Sequence, residues 1–220
     1  MELFGGPLYR PDPDADSGDG TIASAAKANE DYSSDLMTFR HEIENCQNCP
    51  LGQTRNHFVF GVGNPNADLM LIGEAPGRDE DMQGIPFVGR AGQLLDKILA
   101  AINLSREEVF IANVLKCRPP NNRDPLPEEV AQCEPYLRHQ IALIKPKLIV
   151  ALGRVAAKTL LRTEDQLKNM RQKPFTYEGV DLRVTYHPAA LLRNSGFKPA
   201  AWEDFQQIRD LYNAKRKDAG

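Results

Sequence analysis

No stretch of the 220 residues approaches the roughly 20 consecutive apolar side chains that a helix needs to cross a bilayer. Met1 to Arg10 has neither a basic start nor an apolar core, so no export signal is read there. These two absences lead us to expect a cytoplasmic protein with no membrane partner. Glycine-rich phosphate loops are also lacking: neither GxGxxG nor GxxxxGK[ST] occurs, which leaves a mononucleotide-binding α/β protein without support. There is no internal repeat, and no overall basic excess of the kind that nucleic-acid binders usually carry, because the formal net charge is −3. Cysteine is scarce, at four residues. In a chain without an export signal these thiols are poor candidates for a disulfide framework, since cytosolic thiols stay reduced, and metal binding or burial remains.

The acidity is local. Residues 1–34 hold seven acidic side chains (Glu2, Asp12, Asp14, Asp16, Asp19, Glu30, Asp31) against two basic ones (Arg10, Lys27), which leaves 25 basic and 23 acidic residues for the rest. A remainder of +2 is compatible with a local basic patch but does not argue for one. Residues 10–34 are rich in Pro, Asp, Ser, Gly and Ala and almost devoid of large apolar side chains, so burial cannot offset the entropy of ordering them. We therefore expect residues 1–34 to be a disordered acidic leader and residues 35–220 to form one domain. A content of 41 % hydrophobic and 26 % charged residues suits a soluble core of that size.

Within that domain four short apolar runs read as buried strands: Asp68–Gly73, Val109–Val114, Leu148–Gly153 and Leu182–His187. Helical patterns lie between them. In GRAGQLLDKILAAINL, Leu94, Leu95, Ile98, Leu99 and Ile102 share one face, and PEEVAQCEPYLRHQIALI opens with Pro127 and two acids, as helix starts do. A short helix fits Arg154–Leu161, and a last one carries Trp202, Phe205, Ile208 and Tyr212 at helical spacing. Alternation of strands and helices predicts a three-layer α/β fold, a central four-stranded parallel sheet flanked by helices. Ligands in such sheets bind beyond the carboxyl ends of the strands. Here those ends lead into Gly73-Glu74-Ala75-Pro76-Gly77, Asn113, Gly153-Arg154 and His187-Pro188, so an acid, an amide and an imidazole converge on one edge.

Taken singly, each of these signals has an ordinary explanation. A glycine-flanked acid can be a plain turn, an Asn at a strand end a turn former, and a His before Pro a structural residue. The cysteines pair a close Cys46-x-x-Cys49 with the distant Cys117 and Cys133, a set that suits zinc or an iron–sulfur cluster. Zinc ribbons usually show two close pairs, and the single close pair here tilts the reading towards iron–sulfur.

GEAPGRDEDMQGIPFVGRAGQLLDKIL, NVLKCRPPNNRDP and HPAALLRN, taken in order and spacing, resemble the motifs of family 4 uracil-DNA glycosylases, and the likeness runs from about Asp35 to the C-terminus with all four cysteines included. Several roles follow from that resemblance. Glu74 is implied as the carboxylate that positions the attacking water or stabilises positive charge on the deoxyribose, and Ala75 stands where the family accepts Gly or Ala. Glu80 matches the acid near pyrimidine C5, where thymine's methyl is excluded. Phe87 matches the platform on which a flipped uracil stacks, and Asn113 the amide that reads uracil N3–H and O4. His187 is implied as the hydrogen-bond donor to uracil O2. Leu191, Leu192 and Arg193 resemble the loop that wedges into DNA, with Lys116, Arg118 and Arg123 as phosphate contacts.

The same resemblance assigns Cys46, Cys49, Cys117 and Cys133 to a [4Fe-4S] cluster with a structural role. It implies a monomer acting on uracil-containing DNA by hydrolysis, with no lyase lysine and no covalent intermediate. The basic, His-containing loop found after the position of Arg154 in relatives that trap uracil-DNA covalently is absent. A trapping or non-catalytic uracil-DNA binder on the same fold, and a zinc-stabilised nucleic-acid-binding module, are the alternatives.

Overall fold

The computed structural model describes residues 34–217. The leader expected over residues 1–34 therefore lies almost wholly outside the described residues. The chain runs through α1 (Ser34–Ile43), α2 (Leu51–Thr54), β1 (Val62–Gly63), β2 (Leu69–Gly73), α3 (Arg78–Gln83), α4 (Arg90–Ala101) and β3 (Phe110–Asn113). It continues through a 3-10 turn (Pro120–Asn122), α5 (Pro127–Ile144), β4 (Leu148–Leu152), α6 (Arg154–Leu161), α7 (Leu167–Met170), β5 (Phe175–Tyr177) and β6 (Val180–Thr185). It closes with α8 (Pro188–Arg193), a second 3-10 turn (Ser195–Phe197) and α9 (Lys198–Lys217).

The six strands form one mixed sheet in the order β1-β3-β2-β4-β6-β5. Its inner four, β3, β2, β4 and β6, are mutually parallel, with Met70 opposite Phe110, Leu71 opposite Val150 and Val150 opposite Arg183. This matches the four-stranded parallel sheet expected from the apolar runs, and the architecture is mixed α/β. The expectation needs one correction: two short antiparallel strands, β1 on β3 and β5 on β6, extend the sheet at its edges. Two and three residues long, they are too brief to leave an alternating pattern.

Of the inner strands, β2, β3 and β4 read as nearly unbroken apolar runs because both sheet faces are covered there, while β6 alternates, with Asp181 and Arg183 only half-buried. Alternate side chains of β2 serve opposite layers. Met70 and Ile72 pack with α1, α5 and α6 residues such as Leu36, Leu137 and Ala157, while Leu69 and Leu71 pack with Leu95 and Ile98 of α4 and Phe205 of α9. Every residue of β2, β3 and β4 is buried. At roughly 1.5–3 kcal/mol for each large side chain fully removed from water, these two layers dominate the stability of the fold. The apolar face expected on α4 is the face that is buried.

Candidate active site and cysteine pocket

The parallel strands all point their carboxyl ends at one place. β2 leads into Glu74 and Ala75, β3 ends at Asn113, β4 passes through Gly153 to Arg154, and β6 is followed by Tyr186 and His187. Glu74, Ala75, Glu80, Phe87, Asn113, His187 and Arg193 all line one open cavity of about 650 Å³. Close approach there depends on missing side chains. A Cβ on Gly73 would stand 2.4 Å from Asn113 Oδ1 and 2.7 Å from the Phe87 ring, so only glycine lets amide and ring meet.

Phe87 is the strained point of the wall. It is buried yet has φ +54°, a left-handed backbone that costs a bulky residue on the order of 1–3 kcal/mol. Its surroundings hold it there. Arg106 donates from Nη2 to Phe87 O at 2.6 Å and from Nη1 to Pro86 O at 3.0 Å, and pairs with Asp96 at 2.9 Å. Glu80 Oε1 accepts from the amides of Val88 and Gly89, each at 3.0 Å. A Cβ on Gly92 would lie 1.7 Å from Phe87 O, so the first turn of α4 can pass this carbonyl only as glycine. The ring that results lies 5.4 Å from the His187 imidazole at an interplanar angle of 31°.

His187 caps α8. Its Nδ1 accepts from the Ala189 amide at 3.1 Å, which requires the proton of a neutral ring to sit on Nε2. Burial, helped by the positive charge of Arg193, lowers its pKa to about 4. The imidazole is thus neutral near pH 7 and keeps one donor, Nε2–H, for a ligand. Glu74 moves the opposite way: burial and the nearby Asp124 carboxylate raise its pKa to about 7, against the opposing influence of Arg154. Two titratable groups with displaced pKa values in one cavity are a frequent mark of chemistry.

Other residues singled out from sequence stand elsewhere. Leu191 is 1 % exposed and belongs to the core beneath α8, so it is not free to enter DNA, whereas its neighbour Leu192 is 42 % exposed. The wedge reading therefore loses Leu191, because an amphipathic helix turn sends adjacent residues to different sides. Lys116 is wholly buried, donating to Asn113 O at 2.8 Å and Gln140 Oε1 at 2.6 Å, and cannot be a phosphate contact. Arg123 is engaged by both carboxylate oxygens of Glu129, at 2.9 and 2.5 Å, although it reaches the cavity wall. Arg118 bonds Asn122 Oδ1 at 2.7 Å and lies outside the cavity lining. Arg106 and Asp124 are the residues that sequence reasoning missed: both sit in loops, no motif or periodicity marks Arg106, and Asp124, although inside NVLKCRPPNNRDP, takes no role from it.

A second, small cavity is lined by Cys46, Cys49, Cys117 and Cys133. Among the described residues no three ligating side chains already close on one point at metal-binding distance, yet the sulfurs are surrounded by donors. Tyr136 Oη donates to Cys46 Sγ at 3.2 Å, Arg55 Nη1 to Cys117 Sγ at 3.3 Å, and the Lys116 amide to Cys133 Sγ at 3.2 Å. Hydrogen bonds to sulfur are what a thiolate-held centre uses around its ligands, so this donor set fits one. Burial pushes the pKa of the Cys133 thiol up to about 12 and also raises that of Cys117. The loop after β3 joins the two cavities, with Cys117 in one and Asn122, Arg123 and Asp124 in the other.

Fold and cavity together define a class: an α/β protein with an open, partly aromatic cavity at the carboxyl edge of a parallel sheet. Residues 60–206 match the uracil DNA glycosylase superfamily, and the chain belongs to it. It is similar to the type-4 uracil-DNA glycosylases of Archaeoglobus fulgidus (46 % identity, covering 80 % of this chain and 92 % of the relative) and Pyrobaculum aerophilum (46 %, 79 % and 90 %). The type-4 enzyme of Thermotoga maritima is 44 % identical over 69 % of this chain and 80 % of its own length. No described helix is long and apolar enough to cross a membrane.

Proposed function

We propose that this chain is a monofunctional uracil-DNA glycosylase, a hydrolase that takes uracil flipped out of DNA and cleaves its N-glycosidic bond. The observation that carries the reading is the set of groups around one cavity: a neutral His187 with Nε2–H free to donate, the Asn113 amide, the Phe87 ring and the Glu74 carboxyl group.

The chemistry follows from those groups. Uracil stacks on Phe87, and Asn113 offers an acceptor to N3–H and a donor to O4, a pattern that cytosine reverses. The C1′–N1 bond breaks with its electron pair passing to the base, and the Nε2–H of His187 stabilises the charge that collects on O2. A neutral donor suits this task, because it need not give up its proton to the departing anion. On the sugar side positive charge develops, as in glycoside hydrolysis, and an ionised Glu74 stabilises it and accepts a hydrogen bond from the attacking water. Water adds to C1′, the proton it releases neutralises the uracil anion, and uracil and an abasic site are the products. Glu80 and Arg106 hold the Phe87 loop in position, and Leu192 and Arg193 stand where the vacated space in DNA is to be filled.

Cys46, Cys49, Cys117 and Cys133 are the residues that would hold a [4Fe-4S] cluster. Bound there, it would cross-link the segment before α2, the loop after β3 and α5 rather than take part in bond cleavage.

Incubating the purified protein with a labelled oligonucleotide containing one uracil, followed by alkali cleavage and direct detection of the free base, tests the reading. Free uracil with an alkali-labile site is expected. A denaturant-stable protein–DNA adduct would replace it with covalent trapping, and neither product with a binding role.

A further inference from the structure

In the wall of the cavity that would hold the flipped base stands a built stack of planar groups with no part in the chemistry above. Arg171, just after α7, is fixed by a two-pronged pairing with Asp204 (Nε to Oδ2 at 2.7 Å, Nη2 to Oδ1 at 2.9 Å) and by Nη2 donating to Ala200 O at 2.6 Å. Asp204 is held in turn by the Thr185 hydroxyl at 2.8 Å. The immobilised guanidinium lies over the Tyr186 ring, 4.9 Å from its centroid. The Tyr186 ring is stacked on Phe197, with centroids 4.7 Å apart and planes only 11° from parallel. Three flat groups thus rise from a buried ionic anchor to the surface.

The top of the stack is unusual. Phe197 is 37 % exposed and is the one aromatic ring among the exposed large apolar side chains of the described residues. Both it and Tyr186 line the same cavity as Glu74 and Asn113, and so does Arg193, a cation next to the rim. Parallel aromatic stacking of this kind is the geometry by which proteins take up unpaired bases without regard to sequence, with a nearby cation for the backbone. An exposed apolar ring on a rigid base also loses little entropy when it is covered.

We propose that Phe197, supported by Tyr186 and Arg171, is a stacking platform for the nucleobase adjacent to the flipped uracil, so that the protein engages two consecutive bases of an unpaired strand. The proposal rests on the glycosylase reading for the identity of the first base. It makes substrate affinity depend on the neighbour's having a base at all, and not on which base it is.

The test uses single-stranded oligonucleotides with one uracil whose neighbour on the 5′ or the 3′ side is replaced by an abasic spacer. For the wild-type protein, the spacer on one of the two sides raises KM about tenfold, the effect of losing one base–aromatic stack, and leaves kcat unchanged. Phe197→Leu, which keeps the apolar volume and so the fold, shows the raised KM with the intact strand and no further response to the spacer. Phe197→Trp restores the dependence. Inhibition by free uracil is equal in all three proteins, which separates the platform from the uracil cavity. Indifference of the wild-type protein to spacers on both sides, or an unchanged spacer response in Phe197→Leu, overturns the proposal while leaving the glycosylase reading intact. Absence of uracil release from the intact oligonucleotide sinks that earlier reading instead.

Discussion

The base cavity and the cysteine pocket share one loop but are built on opposite plans. The first is open, about 650 Å³, and carries groups whose pKa values are pushed apart, Glu74 up to about 7 and His187 down to about 4. The second is small, its sulfurs already receive hydrogen bonds from Tyr136, Arg55 and a backbone amide, and burial pushes Cys133 up to about 12. A site that exchanges ligands needs room and groups poised to change charge. A site for a resident centre needs ligands gathered on one pocket, as the half-buried Cys46 and Cys49 and the buried Cys117 and Cys133 are here, and donors that already face them. The two lie close along the chain, because the loop after β3 gives Cys117 to one and Asn122, Arg123 and Asp124 to the other.

The sharpest way to break this contrast is to alter one region and ask whether the other responds. Glu74→Gln keeps the shape of the open cavity and removes its negative charge, so kcat should fall about a thousandfold, in the range found for removing one charge-stabilising or proton-handling group. Iron content and melting temperature should stay as in wild type. A variant that lost its iron would show that the two regions are not separable.

Cys133→Ala attacks the other side. Loss of bound iron and its visible absorbance is expected, with a fall in melting temperature of roughly 10 °C, since a ligand bound only to the folded state stabilises it. Unchanged metal content and stability in that variant would remove the cysteine pocket from any binding role.

Within the open cavity, Arg106→Gln separates positioning from chemistry. The Pro86 and Phe87 carbonyls each lose a guanidinium donor, and the strained φ of +54° is no longer held from that side. A drop in kcat/KM of about tenfold is expected, carried mostly by KM and by weaker inhibition by free uracil. Arg106→Lys should recover part of it, because one donor can still reach. If Arg106→Gln left uracil inhibition unchanged, the clamp would be structural only.

The smallest effect expected is a shift in a pH profile. If Glu74 acts as the carboxylate proposed above, its raised pKa makes log(kcat/KM) climb with pH and level off above about 7. Asp124 contributes to that elevation by its negative charge, so Asp124→Asn should move the ascending limb to lower pH by less than about one unit. A limb that stays in place would mean that another group controls it.

Much of the fold was legible in the chain. The apolar runs of β2, β3 and β4 are continuous because both faces of the parallel sheet are buried there, and β6, where the half-buried Asp181 and Arg183 alternate with the buried Leu182 and Val184, still shows its period of two. Strand alternation with helices then places Glu74, Asn113 and His187 at one edge by topology alone. The edge strands β1 and β5 escaped notice because two or three residues carry no period, and their pairing is decided by neighbours distant in sequence.

The roles of individual side chains divided along the same line. Residue types and motif order settled the family and the chemistry on offer, since an amide, a carboxylate, an imidazole and four thiols keep those properties wherever the chain puts them. Direction and partnership were settled only by the tertiary structure. Lys116 and Arg123 look alike on the page as basic loop residues, yet one is a buried tie to Asn113 and Gln140 and the other is bound by Glu129. Leu191 and Leu192 are identical neighbours, and a helical turn of about 100° sends one into the core and the other to the surface. The tautomer of His187 is set by an amide only two residues on, but the clamp of Arg106 on Phe87 and the rise in the Glu74 pKa depend on groups brought together from separate segments, because burial and tertiary hydrogen bonding are properties of a place in the fold and not of a residue type.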